Sequence, residues 1–481
     1  MKIINALGYI MRFIIITLSI ILLGLIIYLG VLPFKYFILI LLGVGILDYL
    51  LSKYMTGNGY GLIKIIPIII SIVFTIFISI LIINMFKTAI TIFKIHDNNI
   101  MSDKYYIVTL KDSPFKKESD IFNFDLGVYN DNSPIYRNAI AKMTKQVYFN
   151  DIEYASIELL KYALYDEKVD GILLNSFTKE YMESTYSDFV NKTNVIFTTD
   201  VEAEESVETN EIDVTKNVFN IYISGIDTYG NISNVSRSDV NMIATVNLNT
   251  SEILFTSIPR DYYVKLHDVN NLNDKLTHAG LYGVNMSVAT IEDLLGININ
   301  YYLRVNFTSL MNVVDLIGGI DVYSDLTFTP YTNSGIRIKE GYNHMNGAMA
   351  LAFARERYAY KEGDLHRVRN EQDVLIAIIK KITSNKSTIT KYTSLLDEVS
   401  KSIETNMKRV DIGSIVKLIL NKTPNFKIGT YSLTGTGDYA YTYSMGSQKL
   451  YVMIPDEETV RIGANNIINM QSGISLSELD I

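Results

Sequence analysis

Long apolar runs dominate the first 90 residues, whereas the remainder of the chain alternates short apolar and polar segments. Residues 13–34 and 65–86 are each runs of 22 residues without a charge. A helix needs about 20 apolar residues to cross a bilayer core, so both runs predict membrane spans. Residues 36–51 form a shorter run that contains Asp48, and we predict a third span there. Residues 1–90 are therefore the predicted membrane anchor.

The placement of basic residues predicts the orientation of these spans. Lys2 and Arg12 precede the first span, Lys53 and Lys64 separate the second from the third, and only Lys35 lies between the first two. Because basic residues concentrate in cytoplasmic loops, the amino terminus is predicted to be cytoplasmic. We expect a multi-pass cell-membrane protein whose large carboxy-terminal part is extracytoplasmic.

After a polar connector, residues 104–200 show a mixed pattern of strands and helices, which predicts a small accessory α/β domain. The predicted strands are 105–110, 169–174 and 194–199, and the predicted helices are 138–150 and 152–165. Residues 201–213 follow as an acidic segment. From Asp200 to Asp213 there are seven acidic residues and no basic one, a run that is typical of a solvated linker.

Residues 216–470 are predicted to form a second, larger α/β domain. Its predicted strands are 219–224, 242–247 and 253–258, and its predicted helices are 285–295, 308–317, 346–353 and 365–382. The overall class is thus α/β, with a membrane anchor at the amino terminus.

The amino-acid composition argues against several classes of function. Apolar residues make up 48% of the chain, which agrees with membrane spans, and the net charge of −8 gives no support to nucleic-acid binding. The chain has no cysteine, which excludes disulfides, thiolate zinc sites and cysteine nucleophiles.

Arginine is unevenly distributed. Only 12 of the 43 basic residues are arginine, and eight of those 12 lie between Arg237 and Arg369. Arginine differs from lysine by a planar fork of donors that binds phosphate bidentately. Surface salt bridges would explain two or three of these arginines, so the bias favours a phosphorylated ligand.

The spacing of three of these arginines agrees with an anion site. Arg355 and Arg357 are two residues apart, so they share a face if their segment is extended. Asp364 is a good helix N-cap, and Arg367 then lies in the first turn, where a helix already favours anions.

Carboxylates occur near the arginines in sequence. Asp227 ends the first predicted strand of the larger domain, and Asp239 comes just before the second. Magnesium is usually held by one or two carboxylates together with phosphate oxygens. We therefore consider Asp227 and Asp239 candidate Mg²⁺ ligands, although aspartates are also common in turns and caps.

The larger domain resembles the LytR–CpsA–Psr family of envelope phosphotransferases. Five blocks match in the family's order: Arg237-Ser238-Asp239 with the strand that follows, Ser257-Ile258-Pro259-Arg260-Asp261, residues 316–322, residues 346–357, and Gly363-Asp364-Leu365-His366-Arg367 with Asn370. The anchor and the accessory domain resemble those of the capsule-associated subgroup. The resemblance implies a central mixed sheet flanked by helices.

The resemblance also implies an activity. Such enzymes transfer a glycopolymer, for example a capsular polysaccharide or a teichoic-acid-like polymer, from a polyprenyl pyrophosphate carrier to peptidoglycan. Carried over by position, the residues that would bind the pyrophosphate and act in catalysis are Arg237, Arg260, Arg355, Arg357 and Arg367, with Asp239 also catalytic. Asp227 and Asp239 would hold magnesium, and Asp261 is a weaker candidate that orients Arg260.

One position departs from the family pattern, and two other functions stay open. Glu371 occupies a position where the family usually has Gln, and a carboxylate there would repel a pyrophosphate unless Arg367 pairs with it. A regulatory protein that binds lipid-linked precursors without turnover, or a pyrophosphatase with water as acceptor, would use the same arginines. Retention of both Asp227 and Asp239 favours catalysis.

Overall fold

The structure is a computed structural model. It describes residues 2–29, 34–57, 62–96, 100–129, 133–204, 210, 212–229, 232–269, 272–384, 403–422, 424–446 and 448–481.

Long apolar helices form the amino-terminal part of the described chain: α1 (Lys2–Leu29), α2 (Phe34–Thr56) and α3 (Leu62–His96). Each contains a stretch that is long and apolar enough to cross a membrane. The helices differ from the predicted spans at several ends, and the bounds of the membrane-spanning segments stay a prediction. The first helix begins at Lys2 rather than at residue 13, and the second extends beyond 36–51 on both sides. Single charges such as Arg12 therefore do not end these helices, because apolar residues continue on either side.

An accessory unit follows. Its strands, in chain order, are β1 (Ile100–Leu110), β2 (Phe122–Val128), β3 (Tyr148–Glu153), β4 (Gly171–Asn175) and β5 (Thr193–Glu204). Its helices are α4 (Pro134–Met143), α5 (Ile157–Tyr165), α6 (Ser176–Thr185) and α7 (Phe189–Lys192). The sheet order is β3-β2-β4-β1-β5, with β2 parallel to both of its neighbours and β1 antiparallel to both of its own.

Two predicted helices of this unit were too long. The helix predicted for 138–150 ends at Met143, and the chain then enters β3. Val147, just before this strand, and Phe149 within it are buried at the two-residue period of extended chain. The segment 152–165 becomes helical only at Ile157, because the Ser156 side chain accepts a hydrogen bond from the Leu159 amide and caps the helix.

The predicted acidic linker was wrong over its first residues. Strand β5 continues to Glu204 along β1, and Val201 and Ala203 are buried while Glu202 faces solvent. Alternating acids here mark the exposed face of an edge strand. Residues 205–209 and 211 of that prediction lie outside the described residues.

A mixed sheet organises the larger unit, as predicted. Its strands are β6 (Phe219–Ile226), β7 (Ser238–Asn247), β8 (Glu252–Ile258), β11 (Tyr301–Asn306), β14 (Ile403–Thr405) and β15 (Lys427–Ser432), in the order β14-β11-β6-β7-β8-β15. Parallel pairs join β11 to β6 and β8 to β15, and the other neighbours are antiparallel. Asp239, predicted to precede the second strand, lies inside β7.

Apolar side chains cover both faces of this sheet. Tyr222, Ile243 and Leu254 point to one face and pack under α9 (Val284–Leu295) and α14 (Glu457–Gln471). Ile223, Met242 and Phe255 point to the opposite face and pack toward α12 (Asp364–Ser384) and α13 (Arg409–Lys422). Burial on both faces agrees with the consecutive apolar residues in these strands, such as Met242-Ile243-Ala244 in β7.

The remaining elements are short or lie at the edges. The helices are α8 (Leu276–Ala279), α10 (Phe307–Leu316) and α11 (Gly347–Ala354). The antiparallel pairs are β9 (Tyr263–Lys265) with β10 (Asn273–Lys275), β12 (Ile320–Ser324) with β13 (Gly341–Met345), and β16 (Gly435–Tyr441) with β17 (Lys449–Pro455).

Helix α11 lies unusually close to α10, and Gly347 permits this. A Cβ added at Gly347 would lie 2.3 Å from the carbonyl oxygen of Met311. The Gly347 amide also donates to Asp315 Oδ1 at 2.7 Å. The position of α11 fixes Arg355, which follows its last turn.

We therefore expect Gly347→Ala to lower the free energy of unfolding by about 1–3 kcal/mol, because backbone atoms cannot yield to the new methyl group. Gly335→Ala is the control, since a Cβ there meets only Asn333 Oδ1, at 3.3 Å. Thermal unfolding of the detergent-solubilised protein gives the melting temperatures of both variants. Equal melting temperatures for the two would contradict the steric argument.

Candidate active site

A cavity of about 320 Å³ opens at one edge of the larger sheet, beneath α10, α11 and α12. The end of β6, the start of β7 and the end of β8 meet at this edge because the three strands are successively antiparallel. All the predicted site residues line the cavity: Asp227, Arg237, Asp239, Arg260, Arg355, Arg357 and Arg367. Residues separated by 140 positions in sequence are thus brought to one place.

Arg260 is held by carboxylates. Its Nη1 donates to Asp239 Oδ2 at 2.8 Å, and its Nε lies 3.7 Å from Asp261 and 3.9 Å from Asp364. Burial lowers the pKa of Arg260, but these carboxylates raise it further, so the guanidinium stays charged. Asp261 also contacts Lys275 and does not line the cavity, which agrees with an orienting role.

Arg367 occupies the first turn of α12, as predicted. Its Nε lies 3.0 Å from Asp364 Oδ1 and 3.7 Å from Glu371 Oε1. Burial raises the pKa of Glu371 to about 8, and the attraction of Arg367 offsets this only in part. At neutral pH Glu371 is therefore mostly a neutral carboxylic acid, which would not repel an anion. The pairing with Arg367 that the sequence required is thus present, and the raised pKa further reduces the repulsion of an anion.

Aromatic rings hold the other three arginines. The guanidinium of Arg355 lies 4.2 Å from the Phe307 ring centroid, that of Arg357 lies 4.9 Å from Tyr358, and that of Arg237 lies 5.9 Å from Phe177. Such rings orient a guanidinium without neutralising it.

The arginines of the cavity therefore differ in how closely carboxylates neutralise their charge. Arg355 has only a long pairing with Asp227, at 3.7 Å. Within the described part of the chain, no carboxylate lies within 4 Å of the guanidinium of Arg237 or Arg357. The site thus combines Arg260 and Arg367, which several carboxylates hold, and Arg355, which pairs with Asp227 alone, with Arg237 and Arg357, whose positive charge remains available to a ligand.

The two predicted metal ligands share the cavity. Among the described residues, no group of three or more histidine, aspartate or glutamate side chains has metal-binding geometry. Two carboxylates are nevertheless enough for Mg²⁺ when phosphate oxygens supply further ligands. Asp239 accepts from Arg260 and from Thr277 Oγ1 at 3.1 Å. Burial raises the pKa of Asp239, but Arg260, Arg367 and Arg237 outweigh burial and lower it, so the carboxylate is ionised. Both candidate ligands therefore line the cavity, and magnesium binding by them stays a prediction.

The inner wall of the cavity is apolar. Side chains from the sheet and from all three covering helices contribute to it: Ile223, Val240, Met242, Leu310, Leu351, Val374, Leu375 and Ile378. The cavity is therefore lined by both cations and hydrocarbon, a combination that fits an amphiphile with an anionic head group.

Several site residues were not predicted from the sequence. Asp364 was predicted only as a helix cap, but it pairs with both Arg260 and Arg367. Phe307 and Phe177 support arginines more than 45 residues away from them in the chain. An apolar ring beside an arginine leaves no local signal in one sequence, so only the fold reveals these contacts.

The family model described as the LytR_cpsA_psr family matches residues 184–458 of the chain. The chain belongs to this family. The matched segment contains every residue of the cavity described above.

Curated relatives of this LytR–CpsA–Psr protein include the polyisoprenyl-teichoic acid–peptidoglycan teichoic acid transferase TagU of Bacillus cereus. It is 35% identical over 206 residues, which are 42% of this chain and 66% of TagU. The biofilm regulatory protein A of Streptococcus mutans is 31% identical over 277 residues, which are 54% of this chain and 65% of that protein. The chain thus matches slightly less than two thirds of the length of these relatives.

Solved structures similar to this LytR–CpsA–Psr protein include TagV of B. subtilis, with 29% identity and a TM-score of 0.46, covering 54% of this chain and 99% of TagV. TagT bound to LIIa-WTA has 27% identity and a TM-score of 0.45, covering 56% of this chain and 97% of TagT.

Proposed function

We propose that the protein is a membrane-anchored phosphotransferase that moves a glycopolymer from a polyprenyl pyrophosphate carrier to peptidoglycan. The convergence of Arg237, Arg260, Arg355, Arg357 and Arg367 on one cavity with an apolar interior is the observation that carries the proposal. Family membership and the similarity to a teichoic acid transferase support it. The polymer, whether capsular or teichoic-acid-like, is left open.

The proposed reaction breaks one bond and forms one. An acceptor hydroxyl oxygen of peptidoglycan attacks the phosphorus that carries the glycan, and the bond from that phosphorus to the bridging oxygen breaks. The products are a glycan–peptidoglycan phosphodiester and polyprenyl phosphate, and the hydroxyl proton is released to a base. Phosphoryl transfer depends mainly on positioning and charge neutralisation. Arg237 and Arg357, which have no carboxylate within 4 Å among the described residues, would stabilise the negative charge that develops on the leaving phosphate, together with Arg355.

Magnesium is part of the proposal, with Asp227 and Asp239 as its protein ligands. The ion would neutralise pyrophosphate charge when bound. Asp239 is ionised, fixed by Arg260 and Thr277, and lies in the same cavity as Asp227. These features would hold it in place as a ligand.

The proposed function is tested with the full chain in detergent. A lipid-pyrophosphate-linked oligosaccharide is incubated with peptidoglycan fragments, with magnesium or with EDTA, and products are identified by mass spectrometry. We expect a phosphodiester-linked conjugate that depends on magnesium. Release of free glycan phosphate at an equal rate without acceptor would instead indicate a pyrophosphatase. Binding without any product would indicate a regulatory protein.

The apolar interior gives a separate prediction. Leu310→Trp places a larger side chain in the cavity wall, so we expect affinity for a long-chain polyprenyl pyrophosphate to fall about tenfold through lost apolar contact. Affinity for a pyrophosphate with one short prenyl unit should change less than about twofold, because its head group contacts the arginines. Isothermal titration calorimetry measures the affinity for both ligands. Equal losses for the two would show that the interior does not hold the tail.

A further inference from the structure

A second cavity of about 320 Å³ lies between the accessory unit and the larger unit, beside the active site. The accessory unit contributes Asp103, Lys104, Ser176, Phe177, Glu180 and Asp200 to its lining. Asp227 and Arg237 line both cavities, so the two spaces meet at these side chains. We call this second cavity the interdomain groove.

Backbone contacts fix the accessory unit against the loop that carries Arg237. The Ser102 amide donates to the Ser233 carbonyl at 2.7 Å, and the Val235 amide donates to the Ser102 carbonyl at 2.8 Å. Val235 also packs on the apolar core of the accessory sheet. The wall of the groove and the Arg237 loop are therefore held in one arrangement.

Phe177 is the aromatic part of this wall, and the larger unit supports it from behind. Its ring lies 5.8 Å from the ring of His278, which is buried and bonded through Nδ1 to Asp274 at 2.7 Å. On another side its ring contacts the guanidinium of Arg237. The Phe177 ring is thus held where the groove meets the active site.

The chemistry of the lining favours a sugar over a second phosphate. The lining carries four carboxylates, at Asp103, Glu180, Asp200 and Asp227, against the two cations Lys104 and Arg237. An anion would be repelled by this excess of negative charge. Carboxylates, hydroxyls and an ammonium group supply both acceptors and donors for ligand hydroxyls, and an aromatic ring offers an apolar surface to the C–H face of a pyranose. The volume lies in the usual range for a small ligand, about 300–1,000 Å³.

We propose that the interdomain groove is a carbohydrate subsite, with Phe177 and Glu180 of the accessory unit contacting a sugar adjacent to the reacting phosphate. This rests on the proposed transferase function. A sugar bound there belongs either to the glycan on the lipid carrier or to the peptidoglycan acceptor, since both must reach the phosphate through an opening of the active-site cavity.

The test uses the full chain in detergent with Glu180→Gln and Phe177→Leu. Glu183→Gln is the matched control on the same helix, where Glu183 pairs with Lys179 outside the groove. Phe122→Leu is the control for Phe177, because Phe122 is a largely exposed aromatic residue elsewhere on the accessory sheet. Three ligands are titrated: polyprenyl pyrophosphate without sugar, the same lipid carrying a disaccharide, and a soluble peptidoglycan glycan fragment.

We expect both groove variants to bind one sugar-containing ligand about tenfold more weakly than the wild type does. Glu180→Gln should bind the bare lipid as the wild type does, whereas Phe177→Leu, which also removes the ring beside Arg237, should lose more affinity for the sugar-containing ligand than for the bare lipid. Loss for the glycosylated lipid assigns the subsite to the donor, and loss for the peptidoglycan fragment assigns it to the acceptor. Unchanged affinity for both sugar ligands, or an equal loss for the bare lipid, overturns the proposal. If the wild type binds sugars through these residues but forms no phosphodiester, the transferase proposal fails while the subsite stands.

Discussion

Replacing Arg260 with Lys is expected to lower the rate of glycan transfer at least about 100-fold. The guanidinium fork of Arg260 holds Asp239 at 2.8 Å and also lies near Asp261 and Asp364. A lysine ammonium is a point charge and cannot contact several oxygens in one plane. It would still neutralise Asp239, so the protein should fold. The rate is measured in the transfer assay, with circular dichroism to check the fold.

Arg369→Lys is the matched control for this experiment. Arg369 lies on the same helix as Arg367, is more than half exposed, and pairs with Glu362 at 2.6 Å. Such an exposed pair contributes little to stability or function, so activity should stay within about twofold of the wild type. A similar rate for Arg260→Lys and Arg369→Lys would remove Arg260 from the proposed mechanism.

The second large effect concerns pH. We expect the affinity of the wild type for polyprenyl pyrophosphate to fall by up to roughly thirtyfold, relative to Glu371→Gln, between pH 7 and 9.5. Burial raises the pKa of Glu371 to about 8. Below this pH the neutral acid tolerates a nearby anion. Above it, a buried carboxylate repels the head group, whereas glutamine has no proton to lose.

The raised pKa of Glu371 also makes the free energy of unfolding depend on pH. Between its ordinary pKa of 4.5 and about 8, Glu371 keeps its proton in the folded protein and loses it in the unfolded chain. Rising pH therefore favours unfolding over this window. From pH 5 to pH 8, the melting temperature of Glu371→Gln should rise relative to that of the wild type.

Glu362→Gln is the control for both pH experiments, because Glu362 is about half exposed and pairs with Arg369 at the surface. Its affinity and melting temperature should follow those of the wild type at each pH. If Glu371→Gln also followed the wild type from pH 7 to 9.5, Glu371 would not be a neutral acid facing the ligand.

Some features of this protein could be predicted from local sequence alone. The apolar runs predict membrane-spanning helices because length and composition set that property residue by residue. The strands β6 and β8 were predicted to within two residues of their ends, whereas β7 begins four residues before its predicted start because Ser238, Asp239 and Asn241 interrupt the apolar pattern. The concentration of arginine between Arg237 and Arg369 predicted a phosphate ligand through the chemistry of the guanidinium group.

Other features depend on the tertiary structure. The sequence could not show that Arg260 and Arg367 are fixed by Asp364 while Arg237 and Arg357 keep their charge available, because pairing depends on distances across the fold. The sequence showed Glu371 as an apparent conflict, and only the fold shows its pairing with Arg367 and the burial that raises its pKa. It also ended the accessory strand too early, since Val201 and Ala203 reveal their role only beside β1. Local composition determines which groups are present, and packing decides which of them meet and in which charge state.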